Sequence, residues 1–282
     1  METLKIIVCG CTKNSANYIE NEINSILNLK HLFFSLNIVI YENDSTDNTV
    51  NILKSLERDK KITLISESGI QSRLKYRTMI IAHGRNKLIE FVDSKNAYDY
   101  MIMVDLDNVM TNFDQQGLID AFGYDLNSWD VLTGNCKGKY YDIWALRLNK
   151  ANWSNSHKKI WNRCIDYDCW DMVHHRLQHG IDERLLHIKP FQKHIPRELP
   201  LLQVDSAFGG IGIYKVSKIK DCRYYGFTRR CSCRQYIPIY GPCRLETCEH
   251  VSFHEAMLKK NKAKIFICPQ LIIKDQSEHI IR

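Results

Sequence analysis

No stretch of this 282-residue chain approaches the roughly 20 consecutive apolar residues that cross a bilayer, so a transmembrane helix is not expected. The N-terminus, METLKIIVCGCTKN, lacks a charged-then-apolar leader with a small-residue cleavage site. It reads as a first core strand, and a cytoplasmic location is expected. The chain also lacks low-complexity linkers and internal repeats, and one domain spanning 1–282 is expected. Charge of one sign is scattered, apart from FTRRCSCR near 230, and the net charge is only +7. Nucleic acid is therefore not an expected partner. Cysteine is not scarce. Eleven thiols, an odd number without a secretion signal, are expected to be reduced.

What is present begins with alternation. LKIIVCG, NIVIYE, ITLISE and YDYMIMV read as short buried strands. Between them, NYIENEINSILNLKHL, DSTDNTVNILKSLE and RTMIIAHGRNKLIEFV carry apolar residues at helical spacing. Strands alternating with helices predict an α/β fold with a mostly parallel sheet covered on both faces. Ligands of such sheets lie at the C-terminal strand ends. After about residue 130 the regularity fades into an α+β continuation with long loops. Residues 1–130 are thus expected to present a ligand site at their strand ends, and 131–282 to supply loops around it.

Several constellations carry chemistry. Asp105 and Asp107 follow the apolar run MIMV. Two residues apart in extended chain, they face one way and repel, and a magnesium or manganese ion would relieve that repulsion. The alternative is a simple turn, DLDN. In YENDSTDNT, Ser45 or Thr46 is the expected helix N-cap, with Asp47 in the first turn. Glu42 and Asp44 are left at the strand end, able to meet a base or ribose. Arg85, beside Asn86, lies on the apolar stripe Ile81–Leu88–Ile89–Val92, so it needs an internal carboxylate or a ligand anion as partner. YYDIWALRL alternates like a strand, and Asp142 among aromatics such as Tyr141 and Trp144 suits sugar hydroxyls stacked on rings or, more commonly, an ordinary aromatic strand. Gly209 and Gly210 allow close approach of a ligand or a bulged strand. In CEHVSFH, the histidine pair lacks the glutamate of a zinc-protease motif. Cys231, Cys233, Cys243 and Cys248 are a possible structural zinc site, with reduced thiols as the alternative.

Taken in order, YENDSTDNT, GRN, MVDLDN, YYDIWALR, VDSAFGG and CEHVSFH resemble the nucleotide-sugar glycosyltransferases of the GT-A fold. VDLDN, YYDIWALR and CEH look most like fungal capsule-associated mannosyltransferase-like proteins and related glycosyltransferases of large DNA viruses. The resemblance implies a Rossmann-like sheet, a UDP- or GDP-linked sugar donor, a glycan or glycoprotein acceptor, and Mn2+ or Mg2+. It implies metal binding by Asp105 and Asp107. It places Thr12, Glu42, Asp44, Arg85, Asn86 and Asp105 around the donor nucleotide, and Tyr141, Asp142, Trp144, Gly209 and Gly210 around the sugars. Glu249 and His250 stand where relatives carry Glu-Asp, the second residue being the catalytic base. Here that residue is histidine, so either Glu249 or His250 is the base, or His250 is a third metal ligand. A metal-dependent nucleotidyltransferase and a zinc-stapled binding module remain open as other readings.

Overall fold

The computed structural model describes residues 1–111, 113–174, 182–227 and 246–282. One mixed sheet of eight strands organises them, in the order β3-β2-β1-β4-β7-β5-β8-β6. The strands are β1 (Lys5–Thr12), β2 (Ser35–Asn43), β3 (Thr63–Glu67), β4 (Tyr100–Asp105), β5 (Val131–Cys136), β6 (Leu202–Gln203), β7 (Ile211–Lys215) and β8 (Ile265–Ile273). β3, β2, β1 and β4 run parallel. β7 then lies antiparallel between β4 and β5. The longer helices are α1 (Ile19–Leu27), α2 (Thr49–Arg58), α3 (Arg77–Lys95), α4 (Gln115–Gly123) and α5 (Glu249–Asn261).

The expected α/β class and mostly parallel sheet are what the structure shows, and the reason is visible in the strands. Side chains alternate across a strand, so a strand covered on both faces must be apolar throughout. Ile6, Val8, Ile38, Ile40, Ile102 and Val104 fill one core layer with α1 and α2. Ile7, Cys9, Val39, Tyr41, Met101 and Met103 fill the other, against α3 and α5. Gly84 lets α3 lie close on the sheet, because a Cβ there would come 2.5 Å from the Tyr41 ring. Among the described residues, no helix is long and apolar enough to cross a membrane.

Two local expectations are corrected. The N-cap of α2 is Asn48, not Ser45 or Thr46. Asp47 lies ahead of the helix, where its carboxylate accepts the N–H groups of Thr49 and Ala16 and ties the turn to the loop after β1. Residues 140–148 are not a strand. Asp142 accepts the Ala145 N–H at 3.4 Å and the Gly209 N–H at 3.0 Å, which bends the chain into a turn over 143–145. Only Arg147 and Leu148 pair in extended fashion, as isolated bridges.

Candidate active site

The parallel strands bring their C-terminal ends to one edge. Register pairs Cys11 with Asp105 and Thr12 with Glu42. Asp105 closes β4, and its N–H donates to the Gly210 carbonyl at 2.9 Å, so the glycine loop before β7 meets the aspartate turn directly. Gly209 and Gly210 both adopt positive φ, +64° and +80°. A side chain at Gly209 would strike the Gly134 carbonyl at 2.6 Å, so only glycine fits that close approach.

Arg85 is the hub. It is 5% exposed, and Nη2 donates to Asp105 Oδ1 at 2.8 Å while Nη1 pairs with Glu249. Its guanidinium also lies over the rings of Phe208 and Tyr224, 5.0 and 5.6 Å from their centroids. Burial works against its charge, but Glu249 and Asp105 outweigh it, and Arg85 is held above its ordinary pKa. The stripe position therefore finds an internal carboxylate pair. One guanidinium joins the end of β4 to the start of α5, with Arg85 itself 164 residues from Glu249.

The two aspartates differ. Asp105 is partly buried, and burial pushes its carboxyl up to about 7, with Arg85 opposing and Asp107, Asp142 and Glu249 adding to the rise. Asp107 projects into solvent beyond it. Desolvation by the surrounding chain raises its carboxyl too, while His279 and Arg77 pull it down. Asp107 makes no ion pair among the described residues. Two hard carboxylates, with the charge of Asp107 raising the pKa of Asp105, fit a divalent cation that takes its remaining ligands from water and substrate phosphates. Among the described residues, no group of three or more His, Cys, Asp or Glu is arranged to hold a metal. His250, expected as the base or as a third ligand, belongs to no such group. The start of α5 buries that imidazole to 3% exposure, stacked 3.8 Å from the Phe208 ring and edge-on to Tyr224. Burial, then Arg85 and His254, push its pKa well down, so it is neutral. Its ring nitrogens have no hydrogen-bond partner among the described residues.

Other expected residues already have internal partners. Glu42 is buried and accepts from the Ser45 N–H at 2.8 Å and the Ser66 hydroxyl at 2.7 Å. Asp44, at φ +53°, accepts the Gln71 N–H at 2.9 Å and tethers the turn after β3. Asn86 pairs with both backbone groups of Tyr224, at 2.8 and 2.9 Å, so its amide anchors the 222–227 segment. Thr12 is 2.6 Å from the Ser15 hydroxyl. Trp144 packs on Trp170 with centroids 5.0 Å apart. Tyr141 stacks on His279 at 5.5 Å, beside the aspartate edge. Asp142 is held above its ordinary range by burial, opposed by the N–H groups of Gly209 and Ala145. Cys231, Cys233 and Cys243 of the zinc expectation, and His175 and His179, lie outside the described residues. Sequence reasoning missed His279, which lies far along the chain in a segment without periodicity. It also missed the His83–Glu67–Tyr41 cluster at the end of β3, where Glu67 accepts from both neighbours.

Residues 7–176, more than half of the chain, match the family described as Glycosyl transferase family 2. The chain belongs to that family. Curated proteins give no match. Three solved structures of similar shape are S. aureus TarS 1-349, the mannosyltransferase PcManGT from Pyrobaculum calidifontis in complex with GDP-Man and Mn2+, and glucosyl-3-phosphoglycerate synthase from Mycobacterium tuberculosis. TarS is 19% identical, over 97% of this chain and 61% of its own, with a TM-score of 0.46. PcManGT is 12% identical, over 98% and 57%, at 0.49. The synthase is 10% identical, over 96% and 69%, at 0.42. The chain thus spans about three fifths of the length of the first two. The family 2 match takes in β1 through β5, including the strand ends that carry Thr12, Glu42, Asp44 and Asp105.

Proposed function

We propose that this family 2 protein is a glycosyltransferase that moves a sugar from a UDP- or GDP-linked donor to a hydroxyl of a glycan or glycoprotein. The observation that carries the reading is the strand-end pair Asp105 and Asp107, joined through Arg85 to Glu249 on α5. A Mn2+ or Mg2+ ion, when bound, would supply Lewis-acid stabilisation of the departing diphosphate. Asp105 and Asp107 are the residues we assign to hold it. Thr12, Glu42 and Asp44 shape the nucleoside end, the last two by fixing the turns at the ends of β2 and β3. Gly209, Gly210, Tyr141 and Asp142 wall the sugar side, where backbone amides can approach closely. Residues 1–130 are the donor half and 131–282 the acceptor half of one domain.

The acceptor hydroxyl must lose a proton as it attacks the anomeric carbon. Between Glu249 and His250 we assign this proton to Glu249. Its carboxylate shares Arg85 with Asp105, whereas His250 lies flat against Phe208 behind it. Arg85 orients Glu249 through their ion pair. The experiment is a panel of UDP- and GDP-sugars with manganese, monitored for released nucleotide. Turnover of at least one sugar nucleotide, abolished in Glu249→Gln with donor binding retained, is expected. Release of pyrophosphate from a nucleoside triphosphate instead would replace this reading with nucleotidyl transfer.

A further inference from the structure

The aspartate edge lies at the C-terminal ends of the parallel strands. The opposite end of the sheet carries a surface that the chemistry above does not use. There, under the start of β2 and β3, a groove of about 500 Å3 runs between the ends of α2 and α3. Lys30, Lys60, Lys61 and Lys95 line it, against one acid, Glu57. That acid is engaged, because it accepts the Leu64 N–H at 2.9 Å. Lys30, Lys60 and Lys95 are exposed and make no ion pair among the described residues. The Lys61–Asp59 pair is 3.8 Å long and open to water on both sides. Each helix C-terminus carries about half a negative charge, so the ends of α2 and α3 together offset about one lysine of the four.

Phe34 stands at the rim. It is 68% exposed, more than any other large apolar side chain among the described residues. In the chain it lies between Lys30 and Leu36, both of which line the groove, and its N–H donates to the Leu4 carbonyl at 3.1 Å. Leu4 is half-buried and lines an adjoining hollow, which shares Tyr98 with the groove. One exposed apolar residue by itself is ordinary. An aromatic ring held beside unpaired lysines suits the surface of an anionic bilayer, where the ring enters the headgroup layer and the ammonium groups meet phosphates. The lining cations are all lysines. Such flexible point charges fit a fluid array of phosphates better than the fixed, paired carboxylates of a folded partner, which favour arginine.

We propose that this end of the molecule docks on an anionic phospholipid bilayer, with Phe34 as the inserted side chain and Lys30, Lys60, Lys61 and Lys95 as the headgroup contacts. The nine residues of β2 separate it from the aspartate edge by roughly 27 Å. That edge therefore faces solution when the protein is docked.

The test sediments the full chain with phosphatidylcholine vesicles that contain or lack phosphatidylserine, at low and high sodium chloride. Binding only to the vesicles with phosphatidylserine, lost at high salt, is expected. Lys60→Gln/Lys61→Gln should weaken it about 25-fold, at roughly fivefold per lysine. Phe34→Ser should weaken it severalfold. All three positions are exposed, so both variants should keep the wild-type melting temperature. Wild-type protein that ignores both kinds of vesicle, or binds both equally, overturns the proposal. So does wild-type affinity in the lysine variant. Capture of polyglutamate without vesicle binding overturns it in favour of an acidic protein partner.

Discussion

Replacing Arg85 by methionine should destabilise the protein severely and in a way that a second substitution partly repairs. The guanidinium is 6% exposed in its side chain and serves two carboxylates. Glu249, 8% exposed, would be stranded as a buried charge, while Asp105, 31% exposed, can still turn to water. Breaking a buried pair from one side costs about 3–5 kcal/mol. Most of that should come from Glu249. Loss of the contacts with Phe208 and Tyr224 adds to it, and methionine refills part of the volume. At about 2 °C per kcal/mol for a chain of this size, the melting temperature should drop by roughly 6–10 °C. Thermal unfolding followed by far-UV circular dichroism measures it. The double variant Arg85→Met/Glu249→Gln removes the stranded charge and should recover about half of the loss or more. A single variant within about 1 kcal/mol of wild type would refute the reasoning, because it would mean that the pair carries no net stability. So would a double variant less stable than the single one.

Glu42→Ala should lower stability by about 1.5–3 kcal/mol as well as weaken nucleotide binding, because the carboxylate holds Ser45 and Ser66 from a buried position; an unchanged denaturant midpoint contradicts this. Gly209→Ala should cost more than the roughly 1–2 kcal/mol of left-handed strain, since its Cβ also meets the Gly134 carbonyl, whereas Gly123→Ala, with open space around it, should be neutral or slightly stabilising; equal effects in chemical denaturation would be evidence against the loop geometry. His254 is buried and neutral between the Ser206 and Tyr214 hydroxyls, its pKa pushed down to about 3 by burial and then Arg85. Its unfolded value is about 6.5, so the unfolded state binds the extra proton between those values. The stability it gives is complete above about pH 6.5 and is lost as pH falls towards 3, with a slope of up to about 1.4 kcal/mol per pH unit. His254→Gln should flatten that acid limb in pH-dependent unfolding, and an unchanged slope would show that His254 does not titrate this way.

The parallel half of the sheet was legible because buried strands and amphipathic helices leave a periodic mark, and Asp105 because two acids after an apolar run break it. Arg85 was legible for the same reason, as a charge on an apolar stripe. Glu22 carries that signal too, three residues from Ile19, but its partner is the Met110 backbone amide 88 positions away, and no side-chain pattern announces it. Asn86 reads like a ligand contact until Tyr224, 138 positions on, takes both ends of its amide. The alternation over 140–148 resembled a strand because aromatic residues suit strands. What bends it is Asp142 accepting from Ala145 and Gly209, a choice made by tertiary structure. His279 reaches the aspartate edge only through the fold, stacked on Tyr141.

The central claim is that Asp105 and Asp107 hold a divalent cation on a nucleotide diphosphate. The most direct measurement is the electron paramagnetic resonance signal of manganese titrated with the protein and UDP or GDP, in wild type and Asp107→Ala. The account predicts that free manganese is depleted only when wild-type protein and nucleotide are both present. It also predicts that Asp107→Ala melts within a few degrees of wild type and leaves the signal unchanged. Equal depletion by Asp107→Ala and wild type, with the variant folded, would contradict the account.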